Sequence, residues 1–219
     1  MAPTRFSDRR DAGAQLAAAL AGYARRPDVI VLGLPRGGVP VADEVATALG
    51  APLDVLVVRK LGVPGHDEFA MGAVSSGGVR VLNDDVIRDL GISQVSINRV
   101  AELELAELAR REEVFRGNTP FPDVDGRTVI LVDDGLATGA TMAAAVAAIR
   151  TMHPARVVVA VPVASRDAMR EIARAADDCI SLLVPEPFGS VGFWYDDFTQ
   201  TTDREVRQLL AAARATCTR

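Results

Sequence analysis

Two adjacent carboxylates, Asp133 and Asp134, close an apolar run and lead into a small, hydroxyl-bearing loop, Ala137-Thr138-Gly139-Ala140-Thr141. The run Val129–Val132 is short, β-branched and bounded by Asp and Gly, which predicts a buried parallel strand; the Ala-rich stretch after the loop predicts a helix. A loop at that junction presents unpaired N–H groups at the positive end of a helix dipole, which suits a phosphate. Gly139 and Ala140 let the backbone approach a ligand closely, and Thr138 and Thr141 add hydroxyl donors. The carboxylates ask for something else, because they repel one another and would repel a phosphate beside them. A sugar with two neighbouring hydroxyls satisfies both, with a divalent cation relieving the remaining charge. Phosphate, ribose, carboxylates is the order in which a ribose 5-phosphate presents its groups.

A second strand pattern, Asp28–Leu34, runs into Pro35-Arg36-Gly37-Gly38-Val39-Pro40 and then a helix-compatible stretch, Val41–Leu49, with Gly50 as its stop. Two glycines that expose N–H groups and an arginine with a fixed charged fork again describe an anion site. Pro52–Val58 reads as a third strand, which puts Arg59 and Lys60 at its carboxyl end, where open α/β sheets bind ligands. The polar, Gly/Pro-punctuated residues Gly62, Pro64, Gly65, His66, Asp67 and Glu68 then suit a lid. His153, before Pro154 at a helix end, reads as a surface residue.

In this order the strings resemble those of type I phosphoribosyltransferases. Val129–Thr141 is similar to their phosphoribosyl pyrophosphate (PRPP) motif, Arg36-Gly37-Gly38 to their pyrophosphate loop, and Arg59-Lys60-Leu61-Gly62-Val63-Pro64-Gly65 to the start of an adenine-type catalytic loop. The resemblance implies that Asp133 and Asp134 hold the ribose hydroxyls, that residues 137–141 wrap the 5-phosphate, and that Arg36, Gly37, Gly38, Arg59 and Lys60 face the pyrophosphate. It implies Mg²⁺ carried mainly by PRPP, with Asp133 or Asp134 as the protein contact, and attack of a nitrogenous base at the anomeric carbon with loss of pyrophosphate. Asp133, Asp134, Arg36 and Lys60 are the expected catalytic set, acting by positioning and charge stabilisation. One departure is that Ala137 stands where hypoxanthine-guanine-type enzymes carry an Asp that handles a purine proton. Alanine cannot be a base, so Glu68, Asp196 and Asp197 are the available substitutes. A non-catalytic PRPP or nucleotide sensor on the same fold is the alternative, since fold does not settle activity.

Aromatic residues are only 5% of the chain, yet Phe188, Phe193, Trp194, Tyr195 and Phe198 fall in the single stretch 185–200. Either a planar base stacks there, with Phe193, Trp194 and Tyr195 as candidates, or the stretch is an apolar plug or subunit contact. The family's variable hood over the acceptor base is the corresponding element. Thr202 and Glu205 make a capping box for a last helix ending near Arg214.

The expected architecture is α/β: a central, mostly parallel sheet flanked by helices in the type I phosphoribosyltransferase fold, with a small C-terminal hood. Its core spans 1–184, with a mobile loop about 59–78 and a helical insertion about 83–117; the hood and last helix span 185–219. Within the core, 8–26 reads as a helix with Leu16, Leu20 and Tyr23 inward, and Ser93–Arg116 as a helix with Val100, Leu103 and Leu108 inward. Phe69–Val74 and Val79–Leu82 read as strands across Ser76–Gly78, Ala155–Val161 as a buried strand, Ser165–Ala175 as a helix and Cys179–Val184 as an edge strand. The 219 residues suffice for one sizeable core, and a net charge of −5 argues against nucleic-acid or anionic-membrane partners. Cys179 and Cys217 lack metal-type spacing and suggest reduced thiols. The amino end shows no apolar signal core, and no run approaches roughly 18 uninterrupted apolar residues, so a cytoplasmic chain is expected, with a homodimer admitted as its assembly.

Overall fold

A computed structural model describes residues 5–217, apart from the side chains of 67–69 and 217. The described elements run α1 (Arg9–Ala19), β1 (Val29–Gly33), α2 (Gly38–Leu49), β2 (Leu53–Val55), β3 (Val58–Val63), β4 (His66–Ser75), β5 (Val79–Leu82), α3 (Asp84–Asp89) and α4 (Gln94–Arg116). They continue through β6 (Thr128–Val132), α5 (Ala140–Arg150), β7 (Arg156–Val163), α6 (Arg166–Ile172), β8 (Asp178–Leu183) and α7 (Asp203–Cys217). The central sheet has five strands, all parallel, in the order β2-β1-β6-β7-β8. This is the α/β layout expected above, and β8 is the expected edge strand.

Strand residues alternate between two apolar layers, as their period of two requires. Val29, Val31, Ile130, Val132, Val158 and Ala160 pack against α1, α2 and α7. Ile30, Leu32, Val129, Leu131, Val157 and Val159 face α5 and α6. A strand buried on both faces has no polar alternation, and that is why β1, β6 and β7 read as near-continuous apolar runs.

Three expectations change. Pro52–Val58 is not one strand: β2 ends at Val55, and Val58–Val63 pairs instead with β4 in a separate antiparallel sheet, β3-β4-β5. The run of apolar residues carried no information about which sheet each half joins. The stretch 59–78, expected as a loop, is therefore mostly hairpin, with β4 and β5 joined across Ser76–Gly78 as foreseen. In α4, capped by Ser93 Oγ accepting from Ser96 N, the inward residues are Ile97, Ala101, Leu108 and Phe115, whereas Leu103 is 66% exposed. A cation at the helix end makes the difference. Arg116 is buried and donates to Asp54 Oδ1 (3.0 Å), Glu112 Oε1 (3.1 Å), Ser76 Oγ (3.2 Å) and the Val55 carbonyl (3.1 Å). That network ties α4 to the end of β2 and to the base of the hairpin, and so sets the helix's rotation.

Candidate functional site

The carboxyl ends of β1 and β6 lie side by side, with Gly33 in register with Val132. Each strand turns into its loop at the same level, so the Arg-Gly-Gly string and the Asp-Asp string meet. Their contact is close enough to demand glycine. A Cβ on Gly38 would lie 2.7 Å from both the Cα of Asp133 and the carbonyl oxygen of Val132, and a Cβ on Gly37 would overlap the Asp134 carboxylate. The two loops, far apart in the sequence, form one wall of one site.

Beyond Asp134 the chain is held from below. The Leu136 amide donates to the Val163 carbonyl (2.9 Å), the Ser165 amide to the Leu136 carbonyl (2.8 Å), and Ser165 Oγ to the Ala137 carbonyl (2.6 Å). Ser165 also caps α6 by accepting from Ala168 N (3.1 Å). Gly139, at φ +76°, packs against Ala168 and turns the chain into α5. Thr138, Ala137, Ala140 and Thr141 lie around the amino end of that helix, where its first amides lack intrahelical partners.

The acidic pair is asymmetric. Arg9, reaching across from α1, donates from Nε to Asp134 Oδ2 at 2.9 Å, places Nη2 at 2.9 Å from the same oxygen, and donates from Nη1 to the Thr199 carbonyl at 2.7 Å. Its guanidinium also lies 3.9 Å from the ring centre of Phe198, a cation–π contact. With only 11% of its side chain exposed, Arg9 is a fixed part of the site, and nothing in its surroundings in the sequence pointed there. Asp133 has no such partner among the described ion pairs; its Oδ1 accepts from the Asp134 amide (2.8 Å). Burial and the neighbouring Asp134 charge hold the Asp133 carboxyl well above the usual carboxylate range. Asp134 is also raised by burial, with Arg9 pulling the other way.

A cavity of about 600 Å³ opens over this wall, lined by Arg9, Arg36, Gly37 and Asp134 on one side and Val191, Phe198, Gln200 and Thr201 on the other. The second group is the hood, and its aromatic residues divide unexpectedly. Tyr195, expected as a stacking candidate, is 2% exposed: its hydroxyl donates to the Asp134 carbonyl (2.6 Å) and its ring packs between Phe6 and Phe198. It anchors the hood to the acidic loop and has no face to offer a base. Trp194 donates its indole N–H to the Phe188 carbonyl (2.9 Å), and Phe193, 60% exposed, meets it edge-on. Neither lines the cavity; Phe198 and Val191 do. A plain helical or strand period would have sorted these residues, but the segment has only a short 3₁₀ turn, Val191–Trp194.

Arg59 and Lys60 are not at a carboxyl end of the central sheet. They sit in β3, where Arg59 donates to Glu104 of α4 at 2.7 Å and Lys60 takes the opposite face of the strand. The Glu68 side chain lies outside the described residues. Asp196 and Asp197 are exposed and neither lines the cavity; Asp197 instead accepts from the Thr199 amide (2.9 Å). His153 is exposed in the connection between α5 and β7, the surface position expected. Among the described residues no group of three or more His, Cys, Asp or Glu gathers to hold a metal ion, and no helix is long and apolar enough to cross a membrane.

Comparison with known proteins agrees with this geometry. A family model described as the phosphoribosyl transferase domain matches residues 7–197. Proteins from two Mycobacterium tuberculosis strains, provisionally named as phosphoribosyl transferases, are 50% identical over 208 residues, or 95% of this chain. The match covers 47% of their length, so the chain spans about half of the curated relatives it matches. The crystal structure of TT1426 from Thermus thermophilus superposes with a TM-score of 0.87 at 48% identity, covering 95% of this chain and 98% of that one.

Proposed function

Because the chain belongs to the phosphoribosyl transferase domain family, we propose that it transfers the 5-phosphoribosyl group of PRPP to a nitrogenous base, releasing pyrophosphate. The observation that carries this reading is the seating of Gly37 and Gly38 directly on Asp134 and Asp133. Diphosphate and ribose are adjacent in PRPP, and only a site whose anion loop touches its acidic pair serves both groups at once. In this reading residues 137–141 receive the 5-phosphate on the amides opening α5, and the acidic pair accepts from the ribose hydroxyls. Arg36 and the amides of Gly37 and Gly38 take the diphosphate. Arg59 pairs with Glu104 on one face of β3, and Lys60, on the opposite face of that strand, is assigned to the leaving group in this reading.

The donor set suits Mg²⁺ that arrives on the diphosphate. Asp134 is already matched to Arg9, and Asp133, which has no cation partner among the described ion pairs, is the carboxylate that would contact such an ion. Such an ion would neutralise the departing pyrophosphate. Catalysis by the chain itself then rests on orientation and on charge held in place: Asp134, kept rigid by Arg9 and Tyr195, fixes the ribose while positive charge grows on its ring. Phe198 and Val191, in place of Trp194 and Tyr195, form the wall that an acceptor base would meet. That chemistry would give the chain a role in nucleotide metabolism, and a cytoplasmic location is proposed with it.

Calorimetry with PRPP and Mg²⁺ tests the site: Asp133→Asn with Asp134→Asn should weaken binding at least tenfold, about 1.4 kcal/mol. Unchanged affinity would remove the reading's support. A panel of nucleobases with PRPP tests the reaction. Pyrophosphate release with one of them is the expected result, whereas tight binding without release from any base would make the chain a sensor.

A further inference from the structure

Arg36 stands between two spaces. On one side is the cavity over Asp134; on the other is a cleft of about 260 Å³ bounded by Pro35, Arg36, Arg110, Arg111, Phe115 and Asp203. Three guanidinium groups from two separate parts of the chain, the β1–α2 loop and α4, converge on that cleft. They face two carboxylates, Glu107 and Asp203, so one positive charge is in excess in a chain whose net charge is −5. Glu107 accepts from Nε and Nη2 of Arg110 (2.8 and 2.9 Å) and from Nε of Arg111 (2.9 Å). That uses three of the ten N–H donors the two side chains carry. It also braces both forks in place.

Asp203 is held differently. Its Oδ1 lies 3.7 Å from Arg36 Nη1, beyond hydrogen-bond distance, and its charge also acts on Arg110. It sits in the first turn of α7, which Thr202 caps by accepting from the Glu205 amide (3.2 Å), so its position is set by the helix and not by the arginines. A carboxylate that balances a cluster of guanidiniums without closing a hydrogen bond is a loose counter-ion, readily replaced by an anion with more acceptors.

We propose that this cleft is a phosphate subsite distinct from the PRPP site, in which Arg110 and Arg111 supply the forks, Arg36 is shared, and Asp203 is the resident counter-ion. Its ligand is a phosphate dianion, either inorganic phosphate or the terminal phosphate of a small ester. Since Arg36 cannot serve both spaces fully, phosphate in the cleft opposes diphosphate in the main cavity, and the two bind with reciprocal negative coupling.

The test uses the full chain carrying Asp133→Asn and Asp134→Asn, so that failure of the PRPP reading leaves it intact. Binding of inorganic phosphate, and in a second arm methyl phosphate, is followed by equilibrium dialysis. Adding Arg110→Gln and Arg111→Gln should weaken binding at least tenfold, and adding Asp203→Asn, which keeps the helix capped, should strengthen it at least threefold. Phosphate on loop 137–141 is insensitive to those positions, so the subsite is the fraction they change. Tighter binding of methyl phosphate would assign the ester, tighter binding of inorganic phosphate the free anion. A phosphate isotherm unmoved by the arginine pair, in variants whose unfolding midpoints match the parent, overturns the proposal. So does weaker binding in Asp203→Asn.

Discussion

Replacing Tyr195 by Phe separates an anchor from a stacking platform, because it keeps the ring and deletes only the hydroxyl. That hydroxyl donates to the Asp134 carbonyl at 2.6 Å from a side chain that is 2% exposed. Losing a typical hydrogen bond costs about 0.5–1.5 kcal/mol net, and leaving a sheltered carbonyl unpaired costs about 1–3 kcal/mol. Water reaches Asp134 from the cavity side, which favours the lower part of that range, about 1–2 kcal/mol. For a chain of this length each kcal/mol moves the melting temperature by about 2–4 °C, so a fall of roughly 2–8 °C is expected. The same substitution loosens the acidic loop, and calorimetry should show ribose 5-phosphate and a nucleoside monophosphate weakened alike, since the ring never met the base. The phenol adds a pH signature. Burial, with Asp134 and Asp133 nearby, pushes its pKa above the ordinary value near 10. Its contribution is whole below that value and declines as alkali ionises the unfolded chain, so wild-type stability should fall above about pH 10 and Tyr195→Phe should fall less. Unchanged melting combined with selective loss of nucleotide binding would refute the anchor and return Tyr195 to the base-facing wall.

Three further outcomes follow from the charges. Asp133 is raised above its unfolded value, so the unliganded protein is stabilised while it is protonated and loses that stability as pH rises from about 4 toward neutrality. Asp133→Asn should flatten this slope in urea titrations at pH 5 and 7 and raise stability at pH 7, while weakening ribose 5-phosphate binding. Arg9→Met strands the Asp134 carboxylate beside Asp133 and releases the Thr199 carbonyl, and should cost about 3 kcal/mol by urea unfolding. A loss below about 1 kcal/mol, the size of an ordinary surface pair, would mean that Arg9 is not integral to the site. Arg116→Met removes the cation from buried Asp54 and should cost about 3–5 kcal/mol, part of which Asp54→Asn restores in the double variant; purely additive losses would deny the pairing.

The strands β1 and β6, the loops at their ends and the caps Ser93 and Thr202 were legible in the sequence because each depends on neighbours within a few residues. An apolar run, an Asp pair, an Arg-Gly-Gly string and a hydroxyl before a helix are local signals, and together they pointed to the family and to the chemistry of the wall. What they could not carry was pairing at a distance. Arg9 meets Asp134 from 125 positions away, and α1 alone shows only an exposed-looking arginine near a helix start. Val58 to Val63 is apolar and basic by turns, and no local preference says that it leaves the parallel sheet for a hairpin held by Arg116. Phe193, Trp194, Tyr195 and Phe198 are alike in hydropathy, so only packing against Phe6, Arg9 and the Asp134 carbonyl decides which is anchor, which is surface and which faces the cavity. Local composition determines what a segment can become and which ligand groups its loops suit. Burial and partner choice are set by the whole chain at once, because the free energy of a side chain depends on what surrounds it after folding.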